Sequence, residues 1–197
     1  MRRVILLYLF LFPFITCFAQ DAYGYYDVTE NIEDGMMRII ASPSKFVEYK
    51  KCPYLMQTFF GYSMHYDLIK KKEEVSFESY YLCFFLPLFD QVTIPKGGRM
   101  LMKFNDGDTL SLVTDKEAKG HYSNGYYLTT PEYIVSKDKI DSIIRKGVVK
   151  LRIETEYKNI DIELTEAFAR HTEALFDGIE KRRNKSKQKD SDFYSDF

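Results

Sequence analysis

The 197-residue chain has no tryptophan, and histidine and cysteine occur only three times each. The histidines are His65, His121 and His171. They form no His-Glu-x-x-His pair, and no Cys-x-x-Cys is present, so no metal site is legible in the local spacing and no cofactor is expected. Basic excess is missing too. Lys and Arg number 28 against 29 Asp and Glu, a formal net charge of −1, which leaves no global basic field and disfavours nucleic-acid binding. Long apolar runs are also scarce. The longest is Val4 to Ile15, short of the roughly 20 residues that span a bilayer, so no transmembrane span is expected in the rest of the chain.

That apolar run has a specific context. Arg2 and Arg3 precede it, Pro13 alone interrupts it, and Cys17-Phe18-Ala19 follows as a small-x-small cleavage site. Residues 1–19 therefore read as a signal peptide, with Gln20 as the new N-terminus. The lipoprotein alternative would cleave before Cys17 and acylate it, but Phe14-Ile15-Thr16 suits that processing poorly. The expected destination is the periplasm, the cell surface or the extracellular space. Cys52 and Cys83 remain after cleavage. Export permits a disulfide between them, closing a loop of about 30 residues and adding on the order of 3 kcal/mol. The preferred reading makes Cys83, inside the apolar run Tyr80 to Leu86, a buried free thiol that behaves as a small hydrophobe.

Sixteen Tyr and sixteen Phe favour strands. Residues 20–34 are acidic and aperiodic and read as an exposed lead-in; 35–183 read as a β-rich domain with a C-terminal helix; 184–197 read as a disordered charged tail. Within the domain, Met36 to Ala41, Thr58 to Ile69, Val75 to Leu86 and Gln91 to Ile94 are strand candidates. Around Asn105-Asp106-Gly107, a three-residue loop with Gly107 left-handed pairs Met102 with Leu110 and Met100 with Leu112, collecting the apolar side chains on one face. Tyr122 to Thr129 reads as one further strand. Ser136 is positioned to cap a short helix, with Val135 and Ile140 as its staple and Gly147 at its end. Val149, Leu151 and Ile153 alternate with charged residues and return, after a turn at Tyr157-Lys158-Asn159, through Ile160, Ile162 and Leu164. Thr165 opens a last helix running to about Arg183. The fold class that follows is mainly β (α+β): a single antiparallel, sandwich-like β domain with a short helix and a C-terminal helix.

Ile94-Pro95-Lys96-Gly97-Gly98-Arg99-Met100-Leu101-Met102-Lys103-Phe104, then Asp106-Gly107, and later Ile134-Val135-Ser136 with Gly147 to Thr155, resemble small secreted proteins of unknown function from Bacteroidetes. The resemblance covers roughly residues 90–180 and includes the style of the Ala19-Gln20 junction. It implies export and a β-rich fold and carries no activity.

Candidate chemistry is sparse. Asn105-Asp106-Gly107-Asp108 lacks the alternating ligands of an EF-hand and is better explained as a turn. Ser63 and His65 share a strand face, but Gly61-Tyr62-Ser63-Met64-His65 lacks the second glycine of a nucleophile elbow. Pro95 to Arg99 precedes a strand rather than the helix a phosphate loop needs. Glu154 and Glu156 lie on one strand and cannot flank a glycosidic bond. His171 reads as a surface or partly packed residue of the last helix rather than a ligand, and the basic run Lys181 to Lys189 as a solubilising tail offset by Asp190, Asp192 and Asp196. No catalytic, cofactor or metal residue is assigned. The expectation is an exported, non-enzymatic binding or interaction module whose partner is an unknown protein or envelope component. The alternatives are a hydrolase with dispersed catalytic residues and a small-ligand binder with an aromatic-lined pocket.

Overall fold

Two long neighbouring strands organise the molecule. The computed structural model describes residues 26–33, 36–43, 47–56, 59–71 and 74–195; the segment read as a signal peptide, residues 1–19, lies outside them. The strands in chain order are β1 (Tyr26–Glu33), β2 (Met36–Pro43), β3 (Val47–Lys51), β4 (Phe59–Lys71), β5 (Glu74–Leu88), β6 (Thr93–Ile94), β7 (Arg99–Phe104), β8 (Thr109–Val113), β9 (Ala118–Lys119), β10 (His121–Ser123), β11 (Tyr126–Thr129) and β12 (Glu132–Val135). Helix α1 (Lys137–Lys146), strands β13 (Val148–Glu154) and β14 (Asn159–Leu164), and helix α2 (Ala167–Ser195) complete it. Among the described residues the class is mainly β with two helices, and the strand pairings are antiparallel.

Twelve strands form one connected sheet, and β6 and β9 form a separate pair. Strand β4 is long enough to serve two neighbours on one edge: its start pairs with β3, and the remainder with β2. Through β3 the sheet continues to β14, β13, β7 and β8. On its free edge β5 pairs with β12 over Tyr80–Cys83 and with β11 over Leu86–Leu88. A sandwich-like arrangement results, because one buried cluster draws on both halves: Tyr62, Met64, Leu82 and Phe84 from β4 and β5, and Met100, Leu151 and Ile162 from β7, β13 and β14.

Helix α2 enters this cluster by its first turns. Phe168 lies 5.0 Å from the Tyr62 ring and 6.5 Å from Phe84, centroid to centroid. The Tyr62 hydroxyl meets Thr172 Oγ1 at 3.3 Å, so the polar tip that accompanies this large apolar body is partnered. Farther along, Tyr80 packs on Phe176 at 5.7 Å.

The hairpin of β7 and β8 has the expected register, Met100 with Leu112 and Met102 with Leu110, with Gly107 at φ 90°. Helix α1 starts after Ser136, whose side chain makes no capping bond, and ends at Gly147 (φ 66°), where the Gly147 N–H donates to Ile143 O. Besides that missing cap bond, three expectations differ. The segment read as an exposed lead-in contains β1, paired along its whole length with β2. Tyr122 to Thr129 is a hairpin, β10 and β11, turning at Asn124 (φ 50°) and Gly125 (φ 90°); two residues at positive φ are the requirement of the tight turn that Asn-Gly supplies. Helix α2 continues past Arg183 to Ser195, across the stretch read as a disordered tail.

Candidate functional site on the outer sheet face

Side chains of a strand alternate between faces, and in β4 and β5 the alternation divides chemistry from core. Phe60, Tyr62, Met64, Tyr66 and Leu68, with Tyr80, Leu82, Phe84, Leu86 and Leu88, belong to the buried apolar cluster. The intervening residues form the outer face. Their registers place Arg38, Asp67 and Ser79 in one row; Ile40, His65, Tyr81 and Ile134 in the next; then Ser63, Cys83 and Glu132; and then Gly61 and Phe85. A final row joins Pro87 to Leu128 of β11 and, through the hydrogen bond from the Met56 N–H to Pro87 O (2.9 Å), to Met56.

The middle of this face is polar. His65 Nε2 lies 3.2 Å from Ser63 Oγ, and its Nδ1 lies 3.3 Å from Cys83 Sγ. Donor atoms of His65, Cys83 and Glu132 all lie within 4.8 Å of one another. Lys116 Nζ approaches the Glu132 carboxylate at 3.8 Å. Burial lowers the His65 pKa, keeping the imidazole neutral, and burial pushes the Cys83 thiol far up, keeping it protonated. Cys83 and Cys52 are both free thiols. Cys52 packs against the apolar cluster and Cys83 stands on the opposite face of β5, which accounts for the missing bridge.

The outer end is apolar. Phe85 remains 39% exposed and Met56 40%, beside Pro87 and Leu128. Gly61 is required here: a Cβ on it would meet Phe85 Cβ at 2.7 Å, so the ring lies flat against the neighbouring strand only because no side chain intervenes.

The other singled-out residues stay apart from this face or from chemistry. Asp106 and Asp108 in the hairpin loop are both paired with Lys146. Glu154 holds Arg99 through two bonds of 2.9 Å. His121 is exposed on β10, and His171 is half-buried on α2. Pro95 to Gly98 is a turn closed by the Gly98 N–H donating to Pro95 O. Within the basic run, Arg183 bonds Tyr80 OH and Glu180.

Sequence reasoning paired Ser63 with His65 but did not connect them to Cys83 and Glu132. These four residues span 63 to 132 and meet only because β5 pairs with β4 on one edge and β12 on the other; no local spacing reports that. Compared with known proteins, the chain matches no family model, no curated protein and no solved structure.

Proposed function

We propose that the protein is an exported, non-enzymatic binding module of the cell envelope that docks a protein partner on the apolar end of its outer sheet face. The observation that carries the reading is the exposed apolar pair Met56 and Phe85, set beside half-buried Leu128 and buried Pro87 in neighbouring rows. Adjacent exposed apolar side chains mark interaction surfaces when they are contiguous. Export rests on the N-terminal pattern of Arg2, Arg3, the apolar run and Ala19.

The alternatives draw less support. The Ser63–His65 separation suits a nucleophile and base, yet Ser63 is only 2% exposed, and a substrate carbonyl has to reach the attacking oxygen. The aromatic surplus goes largely into filling the core. Phe60, Tyr62, Phe84, Tyr133 and Phe168 pack with centroids 5.0 to 6.5 Å apart, which leaves those rings no pocket to line.

The experiment is cell fractionation with intact-mass measurement of the native chain, repeated on Met56→Asp/Phe85→Asp. The expected result is a chain beginning at Gln20, found outside the cytoplasm with envelope material, and release of the equally folded variant from that material. A chain beginning at Met1 in the cytoplasm contradicts export; a variant that stays bound contradicts the docking surface.

A further inference from the structure

We propose that His65 Nδ1, Cys83 Sγ and a Glu132 carboxylate oxygen form a binding site for a thiophilic divalent cation, with zinc the ion that best suits the donor set. The geometry comes first. Three adjacent strands each contribute one donor, and Cys83 and Glu132 are direct register partners, so the backbone brings together two side chains that lie far apart in sequence. Directly opposed residues hold their Cβ atoms about 5 Å apart, a span that a shared ion bridges readily. Tetrahedral zinc, with bonds of about 2.0 Å to nitrogen and 2.3 Å to sulfur, sets nitrogen and sulfur about 3.5 Å apart; His65 Nδ1 and Cys83 Sγ are 3.3 Å apart. The Glu132 carboxylate, within 4.8 Å of a His65 ring nitrogen and of Cys83 Sγ, needs only a side-chain adjustment, and Lys116 is its present partner.

The supporting shell is also in place. A ligating histidine ordinarily donates its second ring N–H to a fixed acceptor, which sets tautomer and orientation. His65 Nε2 has Ser63 Oγ at 3.2 Å, and Ser63 is itself held in the row of Cys83. Charge balances as well. A divalent cation with one thiolate and one carboxylate is neutral overall, which a largely buried location favours over any isolated ion. The imidazole and thiolate select zinc-like ions over magnesium or calcium, which prefer all-oxygen ligands. Three protein ligands leave the fourth position to an exogenous group.

Binding replaces the Cys83 S–H bond with a metal–sulfur bond and releases that proton to solvent, with no change of oxidation state. Affinity therefore rises with pH. Burial already favours the neutral form of His65, which is the form that binds metal.

The test is titration of the full chain with cobalt(II) as a spectroscopic probe, followed by displacement with zinc. The expected result is a thiolate-to-cobalt charge-transfer band that saturates at one equivalent, is bleached by zinc and is untouched by excess magnesium. Cys17→Ser/Cys52→Ser retains the band and Cys83→Ser abolishes it. His65→Gln and Glu132→Gln weaken binding by about tenfold or more, as loss of a ligand or its support does. Absence of the band, its survival in Cys83→Ser, or displacement by magnesium overturns the site. Should Cys83→Ser fail to fold, Glu132→Gln decides: its side chain is about a third exposed, and wild-type affinity in that variant overturns the assignment. Metal binding stands independently of partner docking at Phe85, so either can fail alone.

Discussion

Arg38 on β2 and Asp67 on β4 are register partners and share a two-pronged ion pair, with Nε to Oδ1 at 2.7 Å and Nη2 to Oδ2 at 2.6 Å. The Asp67 side chain is 7% exposed. Removing the arginine alone leaves a buried carboxylate without its counterion. Arg38→Met is therefore expected to cost about 3 kcal/mol, while Arg38→Met/Asp67→Leu recovers most of that loss, because breaking a buried pair costs far more than replacing it. Urea unfolding of the single and double variants checks this. Equal destabilisation of the two would show that the pair is not the source.

Tyr133 yields the opposite sign. It is fully buried on β12, its ring edge-on to Phe84 at 6.1 Å, and its hydroxyl has no hydrogen-bond partner. A buried hydroxyl without a partner costs about 1–3 kcal/mol. Tyr133→Phe keeps the ring and removes that cost, so the variant is expected to be more stable than the natural chain by about 1 kcal/mol. Thermal unfolding is sufficient to see it; a lower midpoint would contradict the account of this position.

The pH dependence of stability follows from His65. Its folded pKa is depressed, chiefly by burial, so between the folded value and the unfolded one the unfolded chain binds more protons. Stability then rises with pH. The His65 contribution is complete above the unfolded value of about 6.5 and is lost as pH falls through the folded value. His171, also depressed by burial, acts in the same window. His65→Gln is expected to flatten part of the stability loss below about pH 6.5, and His65→Gln/His171→Gln more of it. An unchanged slope in both would mean that neither ring is buried as a neutral group.

The extent to which this fold can be read in advance depends on how local each determinant is. The hairpin around Gly107 is legible because alternation and one left-handed position jointly permit a single register. Helix α1 is legible because Ile140 and Ile143 face one way and Gly147 stops it; a Cβ there would meet Asn105 Nδ2 at 2.6 Å. The turn at Asn124-Gly125 was available to sequence reasoning, but the aromatic run around it outweighs the signal. Strand β1 is different. Its acidic, aperiodic composition gives no strand signal, and its order comes from eight residue pairs with β2 and from Val28 packing on the core. The outer-face cluster is the least legible of all. Cys83 sits in an apolar run and Glu132 follows Pro131, and only the pairing of β5 with β12 brings their side chains to His65.

The central claim is that the outer sheet face is where this molecule meets its partner, and site-specific photo-cross-linking in the producing cells tests it most directly. A photoreactive residue at Phe85 is compared with one at Tyr157, which is more exposed at 85% but lies in the turn between β13 and β14. The account predicts a discrete higher-mass adduct from position 85 and none from position 157. No adduct at 85, or the same adducts from both positions, would contradict it.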